Sequence, residues 1–141
     1  MSAEYVSKHG DISRPPSELY MSFTDMRNFA AMLPEEKRQG VKAGFDSISF
    51  EIQNFSVGVK VDGRFPYSKI VYVDDGAPFR FKVTLFFDEG REPSRTDFHI
   101  EVEAELNLMM KMMLGSKIKE GMDKIIDAME DPTRFASEFK F

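Results

Sequence analysis

The sequence predicts an α+β domain built from one strand, two short helices, a run of antiparallel strands and a single long C-terminal helix lying on the sheet, with six to seven strands in all. Three observations carry this prediction. Residues 96–106 place apolar or small side chains at every even position and charged residues or His at every odd one, the period of a strand with one wet and one buried face. Two hairpins further put all their alternating apolar residues on one side. From about Leu108 the period becomes helical and stays so to Met129, near Pro132. Fourteen Phe and ten Met among 141 residues supply the apolar faces.

Tyr5 to Ile12 reads as a short first strand, interrupted by Gly10. Arg14-Pro15-Pro16-Ser17-Glu18 then starts a helix, since proline is tolerated in a first turn whose N–H groups have no helical partner. Leu19, Tyr20 and Phe23 give that helix an apolar stripe. Asp25 is placed to cap a second helix, which Phe29, Met32 and Leu33 continue until Pro34 stops it. Residues 35–40, Glu-Glu-Lys-Arg-Gln-Gly, form a solvated loop.

From Asp46 the period is two. If Gln53-Asn54 is a two-residue turn, paired positions sum to 107, so Ile52 meets Phe55, Phe50 meets Val57 and Ile48 meets Val59. A second hairpin, paired by a sum of 183 across a loop from Asp88 to Arg95, sets Phe87 opposite Thr96, Leu85 opposite Phe98, Val83 opposite Ile100 and Phe81 opposite Val102. Between the hairpins, residues 68–74 form a strand whose face is ambiguous, because Ile70, Val71, Tyr72 and Val73 are consecutively apolar. A tight turn at Asp62-Gly63 would point Ile70 and Tyr72 inward with Ser68, and Asp75-Gly76-Ala77-Pro78 supplies the next turn.

On the final helix, Leu114, Ile118, Gly121, Met122, Ile125 and Met129 fall within an arc of about 100°, opposite Lys119, Glu120, Asp123, Lys124 and Asp127. Gly121 costs about 1 kcal/mol of helix propensity, which suggests a close approach to the sheet or to a ligand. Met109, Met110, Met112 and Met113 surround the axis, so that end is either enclosed all round or carries exposed Met.

The length fits one domain, residues 4–130, followed by a Phe-rich tail, residues 131–141. There is no Cys, which excludes disulfides, thiolate metal sites and Cys nucleophiles and leaves a cytoplasmic location as the default. The first residues lack a signal-peptide pattern, and no run approaches the roughly 18 apolar residues of a membrane span, so no membrane insertion is expected. A net charge of -5 and a pI near 5.1 oppose nucleic-acid and anionic-membrane partners.

The order of elements from Glu4 to Met129 resembles the START/SRPBCC superfamily, whose members include pollen-allergen relatives (Bet v1-like), polyketide cyclase-like proteins and lipid-transfer domains. Ile12-Ser13-Arg14-Pro15-Pro16-Ser17-Glu18-Leu19-Tyr20 looks like its entry from first strand to helix. Phe23-Thr24-Asp25, Phe29 and Leu33-Pro34 look like its second short helix, and Leu114-Gly115-Ser116-Lys117-Ile118 looks like its final-helix entry. The resemblance implies a helix-grip fold, a curved sheet around the C-terminal helix, with a hollow between them for lipids, sterols, polyketides or other apolar molecules. Fold alone does not choose among these uses.

The residues favour a binding or transfer protein over an enzyme. The only His residues are His9 and His99. His99 belongs to the wet face of its strand, and His9 lies nearby if first and last strands pair. Two His suit a metal, but no third ligand has a recognisable spacing, and no metal or cofactor is expected. Glu101, Glu103 and Glu105 read as a solubilising ladder rather than an acid–base cluster. No phosphate loop or Ser-His-Asp arrangement is legible, so no catalytic residue is assigned.

The ligand-binding wall expected on the sheet comprises Phe50, Val57, Val59, Tyr72, Phe81 and Val83, continued by Phe98, Ile100 and Val102. Ile118, Met122 and Ile125 face it from the helix, around a pocket of about 300–1,000 Å³. Tyr72, Tyr67 and Ser68 are the candidates for orienting a ligand. A cyclase- or hydrolase-type enzyme using the same cavity stays open, as does an interaction module with a filled core. A homodimer through the Met-rich helix entry or the Phe-rich tail is the expected protein partner. Phe135 and Phe139, four apart, would share one face of a short helix and be buried against the domain or a mate.

Overall fold

A computed structural model describes residues 2–32, 35–52 and 55–131. In chain order the elements are β1 (Ser2–Val6), β2 (Gly10–Ile12), α1 (Pro16–Thr24), α2 (Arg27–Met32), a 3-10 turn at Glu35–Lys37, β3 (Lys42–Ala43), β4 (Ser47–Ile52), β5 (Phe55–Phe65), β6 (Lys69–Asp74), β7 (Phe81–Glu89), β8 (Thr96–Glu105) and α3 (Leu108–Glu130). The strands form one open antiparallel sheet in the order β1-β8-β7-β6-β5-β4-β3, with β2 also paired to β8. The expected α+β architecture is therefore present, with eight strands where six to seven were expected. Leu33-Pro34, Gln53-Asn54 and the tail beyond Asp131 lie outside the described residues.

The additional strands come from a split and from β3. Residues 5–12 form two strands, because the register on β8 shifts by one: Tyr5 faces Val102, whereas Gly10 faces Phe98. Ser7 fills the break. Its N–H donates to the Ile100 carbonyl and its hydroxyl accepts from the Ile100 N–H, both at 2.9 Å. A one-residue shift moves the inward parity from Ala3 and Tyr5 to Gly10 and Ile12. The same device occurs in β5. Asp62-Gly63 is not a turn but an irregularity within a long strand, and the chain reverses at residues 66–68. Ile70 and Tyr72 still point inward, and both are buried.

The first hairpin has the expected register, Phe50 opposite Val57 and Ile48 opposite Val59. The second is displaced by two residues: Phe87 faces Phe98, Leu85 faces Ile100, Val83 faces Val102 and Phe81 faces Ala104. A slip of two preserves which face each side chain occupies, so hydrophobic pattern does not distinguish the registers. The loop does, because Glu89 pairs with Thr96 and the Gly90 N–H closes onto the Arg95 carbonyl at 3.1 Å.

Pro16 occupies the first turn of α1, and the Asp25 carboxylate accepts from the Arg27 N–H at 3.0 Å at the start of α2. Asn107 caps α3 by accepting from the Met110 N–H at 2.8 Å. α1 packs on β6 and β7, α2 on β3 and β4, and α3 on β1, β2 and β8. Three contacts hold α3 there. The Lys8 N–H donates to Asp123 at 2.9 Å, the Lys8 ammonium pairs with Asp127, and the Asp11 N–H donates to Glu130 at 3.1 Å.

Candidate functional site

The inner face of the sheet has two halves. Under α1 and α2 it is filled with rings: Phe23 lies 6.1 Å from both Phe87 and Phe98, Phe29 lies 5.3 Å from Phe23, and Tyr20 lies 6.3 Å from Phe87. Ile70, Leu85, Ile100, Met122 and Ile126 complete this core. Elsewhere the same face is less covered. Phe50, Val59, Val61, Val83 and Val102 are only half-buried, as are Ile118 and Ile125 on the helix.

The expected wall residues therefore divide. Tyr72, Phe98, Ile100 and Met122 are buried core, whereas Phe50, Val57, Val59, Val83, Val102, Ile118 and Ile125 are half-buried. Phe81 joins a satellite cluster around Ala3, Ala104 and Leu106. A Cβ built on Gly121 would meet nothing within 4 Å. That glycine does not serve close approach to the sheet.

The expected polar groups are spread out. The Tyr72 hydroxyl donates to the Phe23 carbonyl at 2.8 Å, tying α1 to β6, and burial pushes its pKa well above the usual tyrosine range. Tyr67 and Ser68 lie in the exposed turn after β5, where Tyr67 has φ 61° and stands edge-on to Tyr20.

Two groups with polar tips on the inner face escaped the sequence reading. Arg64 follows the β5 irregularity and faces Ile70 across the ladder. Its guanidinium donates to the Thr24 hydroxyl at 2.7 Å and the Thr24 carbonyl at 2.8 Å, pairs with Asp46 at 2.7 Å and covers the Phe45 ring. It pins the end of α1 to the β3–β4 corner. Tyr5, on β1, points at α3, and its hydroxyl is buried without a hydrogen-bond partner. Its alternation with Ala3 was the available signal.

The outer face corrects one expectation. His99 is not a solvated surface residue: it is 8% exposed, stacked between His9 at 4.4 Å and Phe86 at 4.5 Å. His9 does lie beside it. His9 contacts Asp97 at 2.8 Å and His99 contacts Glu101 at 2.9 Å. Stacked rings aim their nitrogens side by side rather than at one point, a poor geometry for sharing a metal ion. Among the described residues no group of three or more His, Cys, Asp or Glu is arranged to hold one.

Two surface depressions lie away from the half-buried apolar row. One of about 240 Å³ sits beside Lys42, Gly44 and Gly58, and one of about 410 Å³ sits among His9, Asp11, Arg91 and Asp97. Neither is walled by α3. A run of exposed apolar side chains does lie at the start of α3, where Leu108, Met109, Met112 and Met113 are all more than half exposed and Met112 reaches 77%. Of the two expected arrangements for that end, it is the exposed one.

This element order, sheet topology and helix placement can be matched against solved structures. Norcoclaurine synthase from Thalictrum flavum superposes with a TM-score of 0.72 at 8% identity, over 94% of this chain and 87% of its own. A START superfamily protein from Mycobacterium smegmatis gives 0.62 at 13% identity, over 93% and 95%. The fold is of the START/SRPBCC type. A protein from Thermobifida fusca has a similar fold, with a TM-score of 0.66 at 11% identity over 92% of this chain and 89% of its own. No protein-family model matches the sequence, and no curated protein matches it. No helix among the described residues is long and apolar enough to cross a membrane.

Proposed function

We propose that the protein binds or transfers an apolar small molecule, lipid, sterol or polyketide-like, in the hollow between α3 and the inner faces of β4, β5, β7 and β8. The observation that carries this is the row Phe50, Val59, Val83 and Val102, apolar side chains on the inner face of the sheet yet left half-buried. Side chains of that kind gain about 25 cal/mol per Å² when a ligand takes them out of water. The placement of the helices supports it, because α3 packs on β1, β2 and β8, α1 on β6 and β7 and α2 on β3 and β4, which leaves β5 with the least helical cover. The relatives named START and norcoclaurine synthase agree with a ligand-binding fold.

The test is native mass spectrometry of protein purified without detergent, followed by thermal shift with fatty acids, sterols and aromatic polyketides. A ligand at a hundredfold excess over its Kd stabilises by about 2.7 kcal/mol. At the usual unfolding entropy of a chain this size that is a rise of about 9 °C. A protein that carries no small molecule and responds to none of the panel would move the filled-core interaction module ahead, with the exposed Met109, Met112 and Met113 as its contact surface or as a homodimer face.

A cyclase- or hydrolase-type enzyme is the second reading, favoured by the synthase among the structural relatives. It requires a titratable group poised in the hollow. The carboxylates whose pKa values are displaced, Asp11, Asp25 and Asp123, are held down by Arg95 and Arg91, by Arg27, and by the Lys8 N–H with Lys119, all in surface contacts. A cytoplasmic location accompanies the binding reading.

A further inference from the structure

We propose that the Tyr5 hydroxyl is the hydrogen-bonding anchor of the hollow, and that the ligand is an apolar molecule carrying a neutral oxygen acceptor such as a ketone or an ester. This rests on the binding function proposed above. Tyr5 lies on β1 opposite Val102, with its ring turned inward, and its oxygen sits 3.1 Å from where a Cβ on Gly115 would be. A larger residue at position 115 would press on that oxygen. The hydroxyl is removed from water and has no hydrogen-bond partner. A phenol in that state carries a desolvation cost that any acceptor brought to it would recover.

The other inward tyrosine with a long reach, Tyr72, is already committed to the Phe23 carbonyl. Arg64 is committed to Thr24, Phe45 and Asp46 at the far end of the sheet. Tyr5 is therefore the free donor at the α3 end, next to the half-buried Val102 and Ile118.

The chemistry of the acceptor follows from the corner in which the hydroxyl lies. Ala3, Ala104 and Leu106 form its floor, and Val102, Phe81, Met110 and Ile118 pack around it with Tyr5. None of these is charged. A carboxylate placed there would lose its hydration among apolar side chains, and the cations one helical turn either side of Gly115, Lys111 and Lys119, are exposed, whereas a ketone or ester oxygen needs only the one donor. Met110 is a flexible, unbranched side chain, so the corner opens to an incoming group by a rotamer change there.

The experiment compares 2-acetylnaphthalene, its hydrocarbon isostere 2-isopropylnaphthalene and 2-naphthoate on wild type and Tyr5→Phe. Isothermal titration calorimetry reads the binding of each of the three directly. In wild type the ketone is expected to bind more tightly than both the hydrocarbon and the carboxylate. Tyr5→Phe should reduce the ketone-to-hydrocarbon preference about 3- to 10-fold, the worth of one hydrogen bond. An unaltered preference overturns the anchor, and tighter binding of naphthoate than of ketone overturns the neutral-acceptor assignment. If wild type binds none of the three, the cavity itself is refuted and the anchor with it. A second readout needs no variant: the infrared carbonyl stretch of bound, ¹³C-labelled 2-acetylnaphthalene should be lowered as for a hydrogen-bonded ketone, and a frequency equal to that in hydrocarbon solvent overturns the proposal.

Discussion

Replacing Gly10 with Ala tests the seat of α3, on which the hollow depends. A Cβ at Gly10 would lie 2.6 Å from Ile126 Cγ2 and 3.4 Å from Ile12 Cδ1, where carbon atoms prefer about 3.5–4.0 Å. Ile126 is fully buried, so the methyl has no solvent to swing into. Overpacking of this kind costs about 1–3 kcal/mol. Against it stands the lower chain entropy of unfolded Ala, about 0.4–1 kcal/mol, available because Gly10 is not among the glycines with positive φ. The net is a loss of about 1–2 kcal/mol. With an unfolding entropy of about 2.1 cal/mol/K per residue, the melting temperature should fall by about 3–7 °C.

Ile126→Ala alone should cost about 2–5 kcal/mol. In the double variant the new methyl enters the vacated space, so the double should be more stable than the sum by about 0.5–3 kcal/mol. Urea denaturation of the four proteins measures the cycle. A neutral or stabilising Gly10→Ala together with strict additivity would show that α3 is not seated on β2, and the half-covered inner face would lose its explanation.

Tyr72→Phe should lower stability in urea by about 1–3 kcal/mol, because the Phe23 carbonyl loses its donor, while leaving ligand affinity unchanged; the reverse outcome would make Tyr72 a ligand contact. Acid should weaken the fold through Asp11, whose carboxyl is held down to about 2 by Arg95 and Arg91. Since its folded pKa lies below the unfolded value of about 3.9, this contribution is present above about pH 4 and is lost as pH falls toward 2. Asp11→Asn should accordingly flatten the dependence of the urea midpoint on pH across that window, and an unchanged slope would remove Asp11 as its source.

Much of the architecture was legible in the chain. Alternation in residues 96–106 fixed the inward set Phe98, Ile100, Val102 and Ala104, and it did so even though the assumed β7–β8 register was two residues off, because a slip of two keeps every side chain on its face. The Pro15-Pro16 entry of α1, the Asp25 contact at α2 and the span of α3 follow from local backbone chemistry, which needs no distant partner. The irregularities at Ser7 and Gly63 were not legible, since each is a one-residue change of parity stabilised by another strand. Burial of His99 was not either. Its alternating position put it on the outer face, and only the β1–β2 connection, reached across about ninety residues of sequence, brings His9 over it.

The candidate site divides along the same line. Sequence by itself determined which apolar residues share the inner face, because period two and period 3.6 are properties of the backbone. It did not determine which of them are core and which remain partly uncovered. Phe98 and Val102 are equivalent in the strand pattern, yet Phe98 is packed under Phe23 and Phe87 while Val102 is half-buried beside Tyr5 and Ile118. That difference depends on where α1, α2 and α3 rest on the sheet, and so does the fate of each polar tip. Tyr72 reaches a carbonyl of α1, whereas Tyr5 meets a glycine of α3 and finds no partner. Hydrogen bonds and close contacts between elements far apart in sequence exist only once the elements are docked, so only the tertiary structure decided them.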